Sequence, residues 1–293
     1  MENPKVIVQQ WPGGVSTFSG GTRTAIKVDR PWQKAMEINP AVCPFEPERL
    51  YGNHEIEMHS EDGEWVSFKN LYTPLQFHRV IVPTTCANWP DERLRLLGGR
   101  EEIGKALDIA YQTLGRNESL NSGQEHIVTH NGYSGGQNVP HIHWHALTYP
   151  EVARGEDPYK IQQELLKITA DPSFLVLTNS NLKVVVGGHR AGECFILPID
   201  PDPLVSLENI ANVLHLLVKL FAVKFRSRVG AMLPPDFTVD LIFVHGQLAY
   251  GAFVPILNNM GSSEYTGILR QQAMTLPWPH ETTAAYLRGE IAL

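Results

Sequence analysis

The sequence predicts an α+β fold, and three observations carry that reading. β-Rich runs come in pairs joined by turn residues. Between two such pairs lies one stretch of helical periodicity. The order hairpin, helix, hairpin then occurs twice along the 293 residues. A chain of this length holds one large domain or two closely packed smaller ones. With 43% hydrophobic and 19% charged residues, it reads as globular rather than disordered.

Residues 1–45 are rich in Pro, Gly, Ser and Thr with little periodicity, and they predict an irregular arm laid over the body. "GEWVSFKNLYTP" and "FHRVIVPT" follow as two strands around a Pro-containing turn. Pro90 and Asp91 supply a helix start signal. Ile103, Leu107, Ala110, Tyr111 and Leu114 then recur at helical spacing, with Gly98 and Gly99 breaking the segment near its beginning. "EHIVTHNGY" and "VPHIHWHALTY" are the next strands. In the second half, "FLVLTN", "LKVVVGG" and "ECFILPI" read as strands. Ser206 caps a helix running through Arg226 that carries Ile210, Val213, Leu214, Leu217 and Phe221 on one face, and "FTVDLIFVHG" and "LAYGAFVPIL" close the series.

The two halves keep register. Pro83 of "VIVP" and Pro198 of "FILP" stand 115 residues apart, as do His130 of "HIVTHNG" and His245 of "LIFVHGQ". This predicts an internal duplication, with an arm at 1–45, one repeat at 46–165 and a second at 166–293. The same offset carries His141, His143 and His145 onto Ile256, Asn258 and Met260. One half is therefore expected to carry the chemistry, and the other to be structural.

Composition narrows the partners. The net charge is −7 with histidine neutral, and no Lys/Arg run exceeds two residues, which argues against nucleic-acid polymers and anionic lipid. Three widely spaced cysteines, Cys43, Cys86 and Cys194, form no CxxC pair and suit a reducing cytoplasm. The N-terminal residues carry no export signal pattern, and no stretch reaches 18 uninterrupted apolar residues, so a cytoplasmic location without membrane insertion is expected.

The chemistry concentrates in "GYSGGQNVPHIHWHALTYP". On a strand, His141, His143 and His145 share one face while Ile142 and Trp144 anchor the other. Three imidazoles in alternation admit two readings. An HxH pair such as His141 and His143 can grip a metal ion, given a further carboxylate or thiolate from elsewhere. Alternatively, the turn Ser134, Gly135, Gly136, Gln137 and Asn138 lets backbone N–H groups approach an anion, beside an imidazole able to attack phosphorus.

The run Gly135-Gly136-Gln137-Asn138-Val139-Pro140-His141-Ile142-His143-Trp144-His145 resembles the signature of the histidine triad superfamily, in particular its duplicated branch of galactose-1-phosphate uridylyltransferases and diadenosine tetraphosphate phosphorylases. The resemblance implies an antiparallel sheet with helices on one side, built from two fused repeats of which the second lacks the triad. It makes His143 the nucleophile that forms a nucleotidyl-imidazole intermediate. His141 becomes the orienting histidine, and His145 a contact to phosphate or leaving group. It extends to "FKNLYTPLQFHRVIVP", where Asn70 takes the role of a ribose or base contact and His78 opens the next strand. It also covers a C-terminal stretch in which Glu264 reaches the site ahead of a last helix ending in Leu-Arg.

Departures from the family pattern are visible. Uridylyltransferases carry Gln where this chain has His145. In "CPFE" the second cysteine of the family's zinc segment is replaced by Glu46, which argues against a structural zinc. Cys86 stands where small triad hydrolases place a histidine. The resemblance therefore implies a nucleotidyltransferase, phosphorylase or hydrolase acting on the α-phosphate of a nucleoside polyphosphate or nucleotide sugar. No cofactor is required, and magnesium arrives, if at all, with the substrate. The partner is a small-molecule nucleotide, and assembly is as a monomer (a pseudo-dimer) or a homodimer. Two rival readings are a non-catalytic nucleotide sensor and a metal-dependent hydrolase using the histidine cluster.

Overall fold

The computed structural model describes residues 7–11, 15–19, 43–71, 73, 75, 77–84, 96–116, 124–132, 137, 139, 141–149, 157–188, 192–199, 205–225, 234–257 and 279–292. Along these, the β-rich runs become β1 (Ile7–Trp11), β2 (Val15–Ser19), β3 (Ile56–His59), β4 (Trp65–Lys69), β5 (Phe77–Pro83), β6 (Glu125–Asn131) and β7 (Trp144–Thr148). The second half gives β8 (Leu175–Thr178), β9 (Leu182–Val186), β10 (Cys194–Pro198), β11 (Phe237–Val244) and β12 (Gln247–Pro255). The helices are α1 (Pro47–Asn53), α2 (Arg100–Gly115), α3 (Pro158–Ile168), α4 (Leu207–Lys224) and α5 (His280–Arg288).

β1 and β2 form a separate hairpin, and the other ten strands form one sheet in the order β3-β4-β5-β7-β6-β11-β12-β10-β9-β8. All of its pairings are antiparallel, so the expected α+β class is the one observed. The order is palindromic. Read inward from either edge, each half gives its first, second, third, fifth and fourth strand, and the halves meet where β6 pairs with β11 from Phe237↔Asn131 to Phe243↔Glu125. The edge strands β3 and β8 are four residues long, and each has an irregular register, at Ile56/Met58 and at Leu175/Leu177.

The two long helices lie on one face. Ile103, Leu107 and Leu114 of α2 and Ile210, Leu214 and Phe221 of α4 join Ile81, Ile127, Ile142, Trp144, Leu241 and Phe253 of the sheet side in one apolar core. Ala284 and Leu287 of α5 join the same core, so the expectation of helices on one side is met by α2, α4 and α5 but not by the other two. On the opposite face, Leu50 of α1 packs with Val66, Phe68, Val80 and Val82, and Leu165 and Leu166 of α3 pack on Val185, Phe195 and Leu197. The reason is compositional: β4, β5, β9 and β10 are apolar on both faces, so both must be covered. Between those two apolar patches, the same face of β5, β7, β6 and β11 carries His78, His145, His126, His130, Thr238 and Asp240 in adjacent positions.

Helix α2 begins at Arg100, after the break expected at Gly98 and Gly99, where Leu97, Gly98 and Gly99 have φ of 57, 82 and 136, outside any right-handed helix; Pro90 and Asp91 lie outside the described residues. Other details differ from the sequence expectation. The arm contains the β1–β2 hairpin rather than irregular chain throughout. The strand read as "VPHIHWHALTY" begins only at Trp144, so His141 and His143 lie on its lead-in segment. The fixed offset of 115 also fails beyond the penultimate strands. Residues 132–143 separate β6 from β7, whereas His245 and Gly246, at φ 50 and 77, make a two-residue hairpin turn between β11 and β12. His145 lies beside Val128, Val128 beside Asp240, and Asp240 beside Ala252, so Ala252 rather than Met260 sits opposite the inner strand of its own half as His145 does.

Candidate active site

The triad is held from behind by apolar side chains. Ile142 and Trp144 are buried in the helix-side core, which turns the three histidines that alternate with them to the opposite face. His141 is 2% and His143 6% exposed. Phe45, ahead of α1, packs its ring against both, with centroids 5.3 and 5.9 Å away.

Each imidazole has a different set of partners. His143 Nδ1 lies 2.7 Å from the His141 carbonyl oxygen. Only a protonated Nδ1 can donate there, so the tautomer is fixed and Nε2 carries the lone pair. The His143 carbonyl in turn accepts from Thr129 Oγ1 at 2.8 Å. Gln137 closes the arrangement. Its Oε1 accepts from Gly132 N–H at 2.8 Å and its Nε2 donates to the same His141 carbonyl at 3.1 Å, so the amide staples the loop ahead of the triad.

His145 Nδ1 meets His78 Nε2 at 2.9 Å, and His78 Nδ1 meets Thr73 Oγ1 at 2.8 Å, giving a line of three proton-exchanging groups. Asn70 joins that line, with Nδ2 3.2 Å from His78 Nε2 and its backbone N–H donating to the His78 carbonyl. The His145 ring is 5.1 Å from that of His143 and 6.0 Å from that of His130. Burial pushes His143 down to about 4, and the hydrogen bond to the His141 carbonyl opposes this only in part. His145 is held well below the usual histidine range by burial first and then by His143, His78 and His130. His143 and His145 are therefore neutral at pH 7, which suits nucleophilic nitrogen rather than fixed positive charge.

His141 faces elsewhere. Its Nε2 donates to the Pro83 carbonyl at 3.2 Å, leaving Nδ1 as an acceptor 3.3 Å from Cys43 Sγ. Burial lowers its pKa to about 3 and raises that of Cys43 to about 11. Ligand atoms of Cys43, Glu46 and His141 all lie within 4.8 Å of one another. A thiol, a carboxylate and an imidazole whose far nitrogen is fixed by a backbone carbonyl are a donor set that fits a divalent metal ion. The replacement of cysteine by Glu46 thus leaves a ligand in place, and the group gathers on His141 rather than on an HxH pair.

Of the residues singled out by sequence, His141, His143, His145, Asn70, His78 and Gln137 converge here. Ser134, Gly135, Gly136, Asn138, Glu264 and Cys86 lie outside the described residues. Sequence reasoning passed over Thr129, His130, His126, Thr238 and Asp240. The signal was present for two of them: His126 and His130 stand four apart on the strand preceding the triad and so share its face.

A solved uridylyltransferase structure superposes on the chain with a TM-score of 0.64 at 16% identity, covering 96% of this chain and 97% of that one. The chain therefore shares the fold of that structure. An ADP-glucose phosphorylase from Arabidopsis thaliana, solved with bound ADP-glucose, gives 0.60 at 14% identity over 99% of both chains. A GalT-like protein from the same plant gives 0.59 at 15% identity over 84% of this chain and 91% of that one. No protein-family model and no curated protein sequence matches the chain. Among the described residues, no helix is long and apolar enough to cross a membrane.

Proposed function

We propose that the protein is an enzyme that transfers a nucleoside monophosphate from a nucleoside polyphosphate or nucleotide sugar through a covalent intermediate on His143. The observation that carries this reading is the 2.7 Å hydrogen bond from His143 Nδ1 to the His141 carbonyl. It holds the proton on one ring nitrogen and leaves the other free to attack. In the first step Nε2 bonds to the α-phosphorus while the bond to the leaving phosphate oxygen breaks, and that oxygen keeps the electron pair and departs as an anion beside His145, which His78 and Thr73 hold in place. In the second step an acceptor oxygen bonds to the same phosphorus, the bond to Nε2 breaks with its pair returning to the ring, and any proton on the acceptor passes to water. Gln137 and Thr129 hold the carbonyls that orient the ring.

Ser134, Gly135, Gly136 and Asn138 are assigned to phosphate binding, with Asn70 and Glu264 to the nucleotide, from the sequence resemblance alone. The palindromic strand order supports a duplication, with repeats at 46–165 and 166–293 and the second without a triad, so that one chain acts as a pseudo-dimer. Cys43, Glu46 and His141 would hold a metal ion. Bound there, it would supply a clamp fixing the triad's lead-in segment to the start of α1. The fold likeness to a uridylyltransferase and an ADP-glucose phosphorylase supports nucleotide chemistry over a sensor role, which requires no fixed nucleophile.

The test mixes the protein with nucleoside triphosphates, dinucleoside polyphosphates and nucleotide sugars. It then seeks a nucleotide-sized mass increase on the peptide containing His143. His143→Gly should remove both the adduct and turnover, and an adduct persisting in that variant rejects the assignment.

A further inference from the structure

We propose that Asp240, supplied by the second half of the chain, is a specificity-determining carboxylate that binds a pair of neighbouring hydroxyls on the non-transferred part of the substrate. This deepens the nucleotidyl-transfer reading and rests on it. Asp240 pairs with Val128 across the β6–β11 seam, and Val128 pairs with His145. Directly opposed residues of an antiparallel sheet point to the same face, so Asp240 projects from the surface that carries the triad. Two strand spacings put its Cα about 10 Å from that of His145.

The carboxylate is oriented from below. Buried His126 presents Nδ1 to both carboxylate oxygens, at 3.0 and 3.2 Å, while its Nε2 faces Gln124 Nε2 at 3.3 Å. The amide nitrogen can only donate, so His126 Nε2 accepts and Nδ1 carries the proton. In this pair the imidazole is the buried partner, and the Asp240 side chain is 34% exposed. The remaining lone pairs of an aimed carboxylate therefore face the polar strip between the α1 and α3 patches. The Tyr149 ring stands edge-on to His126 at 4.9 Å. Tyr250, next but one to Asp240's partner Ala252, lies on the same face and packs against the apolar patch under α3.

An oriented carboxylate repels phosphate and accepts charge-assisted bonds from hydroxyls. At this separation from His145, whose ring stands 5.1 Å from that of His143, it lies where a sugar ring falls when one phosphate joins it to the phosphorus under attack. Two sources present that chemistry: the hexose of a sugar phosphate, and the ribose of a second nucleotide.

The test compares wild type with Asp240→Asn, which keeps the side chain's shape and an acceptor for His126. The first measurement is calorimetric binding of a hexose 1-phosphate, a ribonucleoside monophosphate and the deoxy analogue of each. Wild type should favour one hydroxyl-bearing ligand over its deoxy analogue by about 10- to 100-fold, and Asp240→Asn should erase that preference. Which pair shows it identifies the source. The second is adduct formation on His143 from donors whose leaving group carries a hydroxyl pair, relative to donors that release pyrophosphate. This ratio should fall by a similar factor in the variant, through KM. Equal binding of both analogues by wild type, a ratio unchanged in the variant, or a loss that tracks magnesium concentration overturns the assignment. Adduct failure with every donor in wild type, alongside an intact hydroxyl preference in binding, condemns the transfer reading instead.

Discussion

Acidification from pH 7 to pH 5 should destabilise the fold through the triad itself. A histidine titrates near 6.5 when the chain is unfolded, whereas burial brings His143 to about 4 and His141 to about 3 in the folded protein. Between those values the unfolded chain takes up a proton that the folded chain refuses. Stability is thus fully present above about pH 6.5 and is lost as pH falls toward the folded values. At pH 5 the unfolded imidazole is almost wholly protonated and both buried rings are still neutral, so each costs about 2 kcal/mol relative to pH 7. About 4 kcal/mol for the two is a large share of the 5–15 kcal/mol typical of a folded domain, and His145 adds in the same direction. The assay is urea unfolding in chelator at both pH values, for wild type and His143→Gln. The variant should lose about 2 kcal/mol less than wild type over this interval. An identical loss in both proteins would refute the idea that His143 is buried as a neutral ring.

Other substitutions probe the supports. Gln137→Leu removes bonds to both Gly132 N–H and the His141 carbonyl, and should cost about 1–2 kcal/mol in denaturant melts and lower kcat more than it raises KM. Thr129→Val leaves the His143 carbonyl without its donor and should cost about 1–3 kcal/mol by the same measurement, with slower adduct formation. Trp144→Ala opens a cavity behind the triad and should cost about 3–5 kcal/mol. Cobalt(II) added to metal-free wild type should give a thiolate-to-metal absorption band that Cys43→Ser lacks; no band in wild type rejects the metal assignment.

The alternation of Ile142 and Trp144 with three histidines is enough to show which way the triad faces, because apolar burial decides the orientation even where the backbone is not yet a strand. The order of strands and the long helices α2 and α4 were equally legible, since each has an unbroken periodic face. What the sequence concealed depends on pairing. Nothing local says that Asp240 will lie in one row with Val128 and His145, because that row is assembled by the β6–β11 seam between segments over a hundred residues apart. The partner of Glu46 was hidden in the same way, since His141 meets it only once the segment ahead of β7 lies against the end of β5, where the Pro83 carbonyl holds its ring. Short α1 and β3 carry too few periodic positions to announce themselves.

The two ends of the long sheet matter for what they prevent. An open sheet offers a strand edge at each rim, and a flat rim is an invitation for another molecule to extend it into a fibre. Here both rims are brief and kinked at Ile56/Met58 and at Leu175/Leu177, so an incoming strand finds only a few residues of usable template before the spacing fails. A molecule that spends its best pairing edges joining its own halves is thereby left with little to offer its neighbours in a crowded solution.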